Sequence, residues 1–340
     1  MEEIIKEKRD EKTMKIDIRK YFGEDEIYVK HPTQKRGISI SELRKRRPNI
    51  PIENICGFHI SRYGKPILLP LIFEIHKEWF YVSELLRTDG HISKNFDRVK
   101  LTSITNLLKE KVISLFSNYG ISYIRNKEYD RIEIFNRTLA LIMSKVFGIQ
   151  AGNKTFTCYM PEWMKNANLG LLAYALRGAF DGDGCVQLTK RKDNATSGHT
   201  RRIRLYGAST KYLDDLRYCL LRFGINSRIF KDPRENKTYF LQISRRDDIV
   251  RFSNSIGFLH PKRKKLLAEV VASYKNYYFL ADFENVVIKI LKEKESLTVS
   301  QLSALVKRTP STVSEQITKL EKQRKVKTKM VGVRRFIYLP

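Results

Sequence analysis

The chain lacks any stretch suited to a membrane. Among its 340 residues no apolar run approaches the roughly 18 residues a spanning helix needs. The amino-terminal "MEEIIKEKRDEK" also lacks the apolar core of a secretory signal. A cytoplasmic location and no membrane partner are expected. The chain is equally poor in arranged sulfur and imidazole. Its four cysteines (Cys56, Cys158, Cys185 and Cys219) lie far apart with no C-x-x-C pair, and its six histidines show no ligand spacing. That argues against a disulfide framework and a structural zinc site. Acid is scarce too: 37 Asp and Glu stand against 65 Lys and Arg, a formal charge of +28. An excess of that size suits a polyanionic partner, of which nucleic acid is the commonest soluble kind, with a merely basic surface as the competing reading.

What is present is a repeat. Residues 1–65 are charged, broken by Gly and Pro, and carry a basic knot, "RKRRP", at 44–48. No fold is assigned to them from sequence. From about residue 70 an apolar stretch runs to "LLRTDG" at 85–90. A strand around His91–Ser93, a strand with Val99 and Leu101 in alternation, a helix from about Ile104 to Tyr119, strands "ISYIR" and "RIEIF", and a helix "RTLALIMSKVFG" come after it. The order then recurs. An apolar helix over 169–183 leads into strands "VQLTKRK" and "RIRLY", a helix "KYLDDLRYCLLRFG", strands "NSRIF" and "TYFLQIS", and a helix "DDIVRFSNSIG". Each half reads helix, two strands, helix, two strands, helix, and the aspartates Asp89 and Asp183 lie 94 residues apart. Two copies in one chain predict an internal pseudo-twofold axis and a monomer.

The endings of the two opening helices carry the chemistry. In "LRGAFDGDG" (176–184) Ala175, Gly178 and Gly182 fall at i, i+3 and i+7, leaving one helix face nearly bare. Helices meeting on such faces can approach backbone to backbone and bring Asp89 and Asp183 together. Two carboxylates at helix C-termini oppose the macrodipole and each other, and a hard divalent cation such as Mg²⁺ resolves the conflict. Asp-Gly as an ordinary helix stop or turn is the competing reading; its duplication before a short strand in both halves favours the metal.

These residues resemble the signature of the LAGLIDADG endonuclease family, and the element order resembles its single-chain, two-motif members over about residues 70–275. The resemblance implies an α+β fold of two pseudo-symmetric αββαββα repeats forming a DNA-binding saddle. Its divisions would be 1–65 (charged region), 70–160 (first repeat), 161–278 (second repeat) and 282–340 (a separate module). It implies that Asp89 and Asp183 are catalytic and metal-binding, with the backbone carbonyls of Gly182 and Thr88 joining the coordination. The reaction would be Mg²⁺-assisted hydrolysis of both strands across a minor groove. Lys264, in "HPKRKK", is a candidate for the basic residue that completes the water network. The first motif departs from the pattern: Glu84 stands where the second has Gly178, Arg87 where it has Asp181, and Tyr81 where it has Ala175. Glu84 at a close crossing needs a partner, for which Arg177 is a candidate, or else a wider interface.

Alternation along the second copy's strands puts Gln187, Thr189 and Arg191, and Arg202 and Arg204, on one polar, basic face suited to major-groove contacts. Arg228, Lys237, Thr238 and Gln242 extend it. The tail reads as a helix (Val299 to Lys307), a tight turn, a helix (Pro310 to Gln323) and a basic hairpin turning near Gly332. It resembles a winged helix-turn-helix. Thr312, Ser314 and Lys319 would enter a major groove and Arg334 would lie on the wing, with protein contact as the competing use. Three functions stay open: a homing endonuclease acting on double-stranded DNA, a DNA-binding regulator descended from one, and a maturase acting on intron RNA. No splicing-junction residues flank the chain, which starts at Met1 and ends "YLP".

Overall fold

The computed structural model describes residues 13–30, 35–51, 55–61, 66–102, 105–126, 128–190, 199–235, 237–274, 283–306 and 308–340. The chain divides into two compact units, Met1–Leu188 with Arg201–Ala268, and Thr189–Thr200 with Glu269–Pro340. No helix among the described residues is long and apolar enough to cross a membrane.

In the charged amino-terminal region, for which the sequence predicts no fold, the described residues from Thr13 onward are folded. Strands β1 (Thr13–Asp17), β2 (Tyr28–Val29) and β3 (Ile38–Ser39), helix α1 (Ile40–Arg46), and strands β4 (Cys56–His59), β5 (Ile67–Pro70) and β6 (Ile72–His76) form a sheet in the order β3-β2-β4-β5 and a pair β1-β6. Ile18, Phe22, Ile27, Ile40 and Phe58 fill its core. It is tied to the first repeat by Ile60 N donating to Thr138 Oγ1 (3.1 Å) and Leu68 N donating to Tyr119 O (3.0 Å). Within the apolar stretch after residue 70, β6 alternates exposed and buried residues, and only from Lys77 does the chain turn helical.

The first repeat runs α2 (Lys77–Asp89), β7 (Gly90–Ile92), β8 (Val99–Thr102), α3 (Asn106–Ser117), β9 (Ile124–Asn126), β10 (Arg131–Ile134) and α4 (Arg137–Lys145). After a short helix α5 (Glu162–Lys165), the second runs α6 (Leu169–Asp183), β11 (Gly184–Lys190), β12 (His199–Gly207), α7 (Thr210–Arg222), β13 (Arg228–Lys231), β14 (Tyr239–Ile243) and α8 (Arg246–Ser255), followed by α9 (Pro261–Ala272). The two sheets have the same order, β7-β8-β10-β9 and β11-β12-β14-β13. The expected duplication is therefore the architecture. Helices α2 and α6 pack directly on each other and are buried along most of their length.

An aromatic cluster anchors α2. Trp79 is fully buried, stacked on Phe147 at 5.7 Å with its ring also against Phe73, Phe116 and Tyr119. Trp163 meets Phe80 and Phe147 edge-on, both at 5.6 Å, and its Nε1 donates to Val146 O (3.0 Å).

The second unit contains α10 (Phe283–Lys294), β15 (Ser296–Thr298), α11 (Val299–Leu305), α12 (Pro310–Lys322), β16 (Lys327–Val331) and β17 (Arg334–Tyr338), with a sheet in the order β15-β17-β16. Helix α11 opens on a capping box between Thr298 and Gln301, and α12 opens on a Thr309 cap followed by Pro310. Both are sequence-local start signals, which is why these helices were legible. Helix α10 and strand β15 were not expected. Their Phe283, Val287, Leu291 and Leu297 complete a core with Leu302, Val313, Ile317 and Ile337.

Candidate active site

Helix α6 starts where Asn168 Oδ1 accepts from Leu171 N (2.9 Å) and presents its bare face to α2. A methyl group added at Gly178 would lie 2.2 Å from the carbonyl oxygen of Tyr81. One added at Gly182 would lie 1.9 Å from Thr88 Oγ1 and 3.2 Å from Asp89 Oδ2. The approach is backbone to backbone, and it lays the turn carrying Asp183 against the turn carrying Asp89.

Asp89 is half-buried and Asp183 is exposed at the surface end of its turn, yet both carboxyls lose hydration to the packed helix ends. Burial, then the charge of Asp183, pushes Asp89 up to about 7 against the pull of Arg263 and Lys154. Burial raises Asp183 against the same two cations. The cations come from equivalent places after each repeat. Lys154 Nζ donates to Leu86 O (2.7 Å) and Gly90 O (2.5 Å) at the end of α2. Arg263 donates to Phe180 O (3.1 Å), Asp181 O and Gly182 O (2.9 Å) at the end of α6. Each cation binds backbone carbonyls at a helix C-terminus beside a carboxylate, the end where the macrodipole favours positive charge. Burial lowers Lys154 to about 8. Sequence reading missed both residues, because neither belongs to a motif and each arrives from a loop or helix start far along the chain. Lys264 neighbours Arg263 on α9, about 100° further round the helix, and Arg263 is the residue that reaches the motif turn.

The donor set suits a hard divalent cation that also binds phosphate. It offers two carboxylates, whereas no group of three or more His, Cys, Asp or Glu residues able to hold a metal occurs among the described residues. Mg²⁺ is commonly held by one or two carboxylates plus waters and phosphate oxygens, and the carboxylate repulsion at Asp89 is what such an ion relieves. The Gly182 carbonyl is shared with Arg263, and Thr88 Oγ1 donates to Leu85 O (3.0 Å) within its own helix.

The first motif's departures are satisfied differently from expectation. Glu84 is fully buried; its Oε1 accepts from Arg87 Nε (2.9 Å) and its Oε2 from Tyr212 OH (2.7 Å). Arg177 instead donates to Ile256 O (2.6 Å) and stacks over Tyr174. The helices stay close, because Glu84 reaches sideways to its own helix and to α7 rather than across the crossing.

On the second sheet the register places Arg204 opposite Gln242 and Gln242 opposite Arg228, so three expected DNA-contact residues share one row. Arg204 Nε donates to Gln242 Oε1 (2.8 Å) and its guanidinium lies over Phe240. Tyr206, Phe240 and Phe230 form an aromatic row beside it. Arg202 is half-buried two residues before Arg204. Gln187 and Thr189 lie on β11, Lys237 is exposed with its ammonium over Phe156, and Arg191 falls outside the described residues. The corresponding row on the first sheet is Lys100, Glu133 and Ile124, with Glu133 held by Arg98 and Arg131. In the second unit Lys319 and Arg334 are exposed and Ser314 is half-buried. The Thr312 hydroxyl lies 2.8 Å from Thr309 Oγ1 in the helix cap, and Lys319 pairs with Glu315 at 3.6 Å.

Comparison with known proteins adds two domain matches. Residues 171–257 match the LAGLIDADG-like domain family and residues 286–328 match the bacterial regulatory protein, arsR family. Among curated proteins, the chain is 28% identical over 238 residues to the probable translation initiation factor IF-2 of Methanocaldococcus jannaschii, covering 66% of this chain and 19% of that protein. It is 29% identical over 212 residues to the tRNA-splicing ligase RtcB of Methanopyrus kandleri, covering 55% and 21%. The match thus spans about a fifth of the length of these relatives. Among solved structures, the homing endonuclease I-DmoI in complex with DNA and Mn matches with TM-score 0.38 and 16% identity over 53% of this chain and 96% of that one. Full-length WhiA from Thermatoga maritima matches with TM-score 0.37 and 15% identity over 73% and 91%. Element order, paired motif helices and both domain matches lead to one description: a chain with a LAGLIDADG-like domain followed by an arsR-type helix-turn-helix segment.

Proposed function

We propose that the chain is a site-specific, divalent-metal-dependent endonuclease of double-stranded DNA. The observation that carries this reading is the meeting of Asp89, half-buried, and Asp183, exposed, on two backbone-packed helix ends, repelling each other and flanked by Lys154 and Arg263. A purely structural descendant has no need of two carboxylates at such a point.

Asp89 and Asp183 would hold Mg²⁺, with the Thr88 and Gly182 carbonyls as further oxygen donors. The bound ion supplies Lewis-acid polarisation of the scissile phosphates and a more acidic water. The remaining work belongs to the chain. Lys154, at the edge of the site, orients the attacking water and offsets charge on the phosphate. The row Arg204, Gln242 and Arg228 fixes the register of the duplex through base edges and phosphates. Arg202, Gln187, Thr189, Arg191 and Lys237 extend that surface, and Thr312, Ser314, Lys319 and Arg334 add a second DNA contact through the tail.

The relatives support a separable element. An initiation factor, an RNA ligase, a helicase and a DNA polymerase share no single activity, yet each matches this chain over only 11% to 21% of its own length. A segment that recurs across unrelated hosts fits an enzyme that spreads its own coding DNA. The arsR-type match favours a second reading, a DNA-binding regulator that no longer cuts; intron RNA as a partner remains a third.

The test is Mg²⁺-dependent cutting of DNA containing the gene's own insertion junction by wild type and Asp183→Asn. Discrete double-strand products that vanish in the variant support the enzyme. Tight specific binding without cutting, unchanged in the variant, would leave the regulator or the RNA-binding reading.

A further inference from the structure

Beside the Asp89 turn lies a cleft of about 510 Å³ lined by His91, Lys94, Gly152, Asn153, Lys154 and Thr155. We propose that this cleft seats one DNA backbone phosphate, the neighbour of the scissile phosphate, on one strand only. The proposal rests on the DNA-binding reading above and deepens it.

Four observations carry it. The lining is two lysines, a histidine, an amide and a hydroxyl, with no carboxylate among them, so its chemistry selects a phosphodiester oxygen and disfavours a cation. The walls are built: Gly152 N donates to Ile92 O (2.8 Å), Ala151 bridges Ile92, and Thr155 N donates to Asn153 Oδ1 (3.1 Å). The Lys94 stem lies against Gly152 so closely that a methyl group there would be 2.9 Å from Lys94 Cγ, which fixes the direction of the lysine. The cleft also shares a wall with the catalytic turn. Lys154 lines it and donates to Gly90 O, between Asp89 and His91.

The His91 and Lys94 side of this lining does not recur in the second copy. Ninety-four residues on from His91 and Lys94 stand Cys185 and Leu188, neither of them cationic. The two strands of a bound duplex therefore meet different surroundings beside otherwise matched acids. One strand gains a phosphate contact that the other lacks.

The experiment needs no cutting. A duplex selected from random DNA by the wild-type chain is bound without divalent metal, with a neutral methylphosphonate placed at each phosphate around the centre in turn. Wild type is expected to lose affinity when one phosphate on one strand is neutralised. Lys94→Ala, at an exposed position, is expected to bind severalfold more weakly and to become indifferent to that one substitution. The slope of log affinity against log salt should fall by about 0.9 for the lost contact. His91→Ala with Lys94→Ala should deepen the loss at the same phosphate. A variant whose scan matches wild type, or which weakens equally at every phosphate, would overturn the seat while leaving the DNA-binding reading intact. Wild type that binds no duplex would overturn that reading and the seat with it.

Discussion

At one position in the two motif helices the chain places opposite charges for the same task. Arg87 and Asp181 are both buried, and each pins the loop after the last helix of its own repeat. Arg87 donates to Phe147 O and to Gly148 O (2.9 Å) just beyond α4. Asp181 accepts from Leu259 N (2.9 Å) and His260 N (3.0 Å) just beyond α8. The loops differ in which backbone groups they turn inward, carbonyls in one and amides in the other, and the side chain takes the complementary sign. A buried guanidinium needs a counterion, which Glu84 provides, and Glu84's second oxygen then needs Tyr212. The first motif has therefore been rebalanced rather than worn away. Backbone symmetry survives, and charge symmetry does not.

The largest expected effect tests that dependence. Arg87→Met strands Glu84 as a buried unpaired charge and should cost about 3–5 kcal/mol in urea unfolding, whereas adding Glu84→Leu to remove the whole pair should recover most of it. A single variant that melts like wild type would break the comparison. Next comes the crossing. Gly178→Ala should cost about 1–3 kcal/mol by forcing α2 and α6 apart, and an unchanged midpoint would show that the helices can separate freely. An effect of similar size, read in binding rather than stability, contrasts the two sheets. Gln242→Ala or Arg228→Ala should lose about 1–3 kcal/mol of discrimination at one base position. Ile124→Ala, at the same register on the first sheet, should lose almost none in a binding scan over substituted duplexes. Least is expected from the amino-terminal region that braces the first copy. Burial, then the charge of Lys30, holds His59 below the usual histidine range, and its Nε2 is buried without a partner. The folded state thus binds fewer protons than the unfolded one. The stability His59 contributes is complete above about 6.5 and drains as pH falls from there toward its lower folded value. Melting curves between pH 7 and 5 should flatten in His59→Phe, and an equally steep decline would assign the effect elsewhere.

The second motif was readable because Ala175, Gly178 and Gly182 write the close crossing into one short segment. The first was readable only at Asp89 and Gly90, since Glu84 and Arg87 make sense only once Tyr212 and the 147–148 carbonyls are in place. Lys154 and Arg263 give no local signal, whereas Lys264, the basic candidate the sequence offers, is the residue next to Arg263. The amino-terminal sheet stayed invisible for another reason. Its strands are two to five residues long, too short for a period of two to emerge between glycines and prolines. The tail's two helices were visible from Thr298, Gln301, Thr309 and Pro310, whereas α10 and β15 belong to that module only through packing.

The chain has two tryptophans, and both lie against the ring of Phe147. Intrinsic fluorescence is accordingly a gauge of one half of the molecule. A melt followed by emission will report the loosening of the first copy and its brace, and will stay dark to events confined to the second sheet or the tail. An optical transition that precedes the loss of helical circular dichroism would be the first half letting go alone, a state that a single-probe experiment would mistake for the whole.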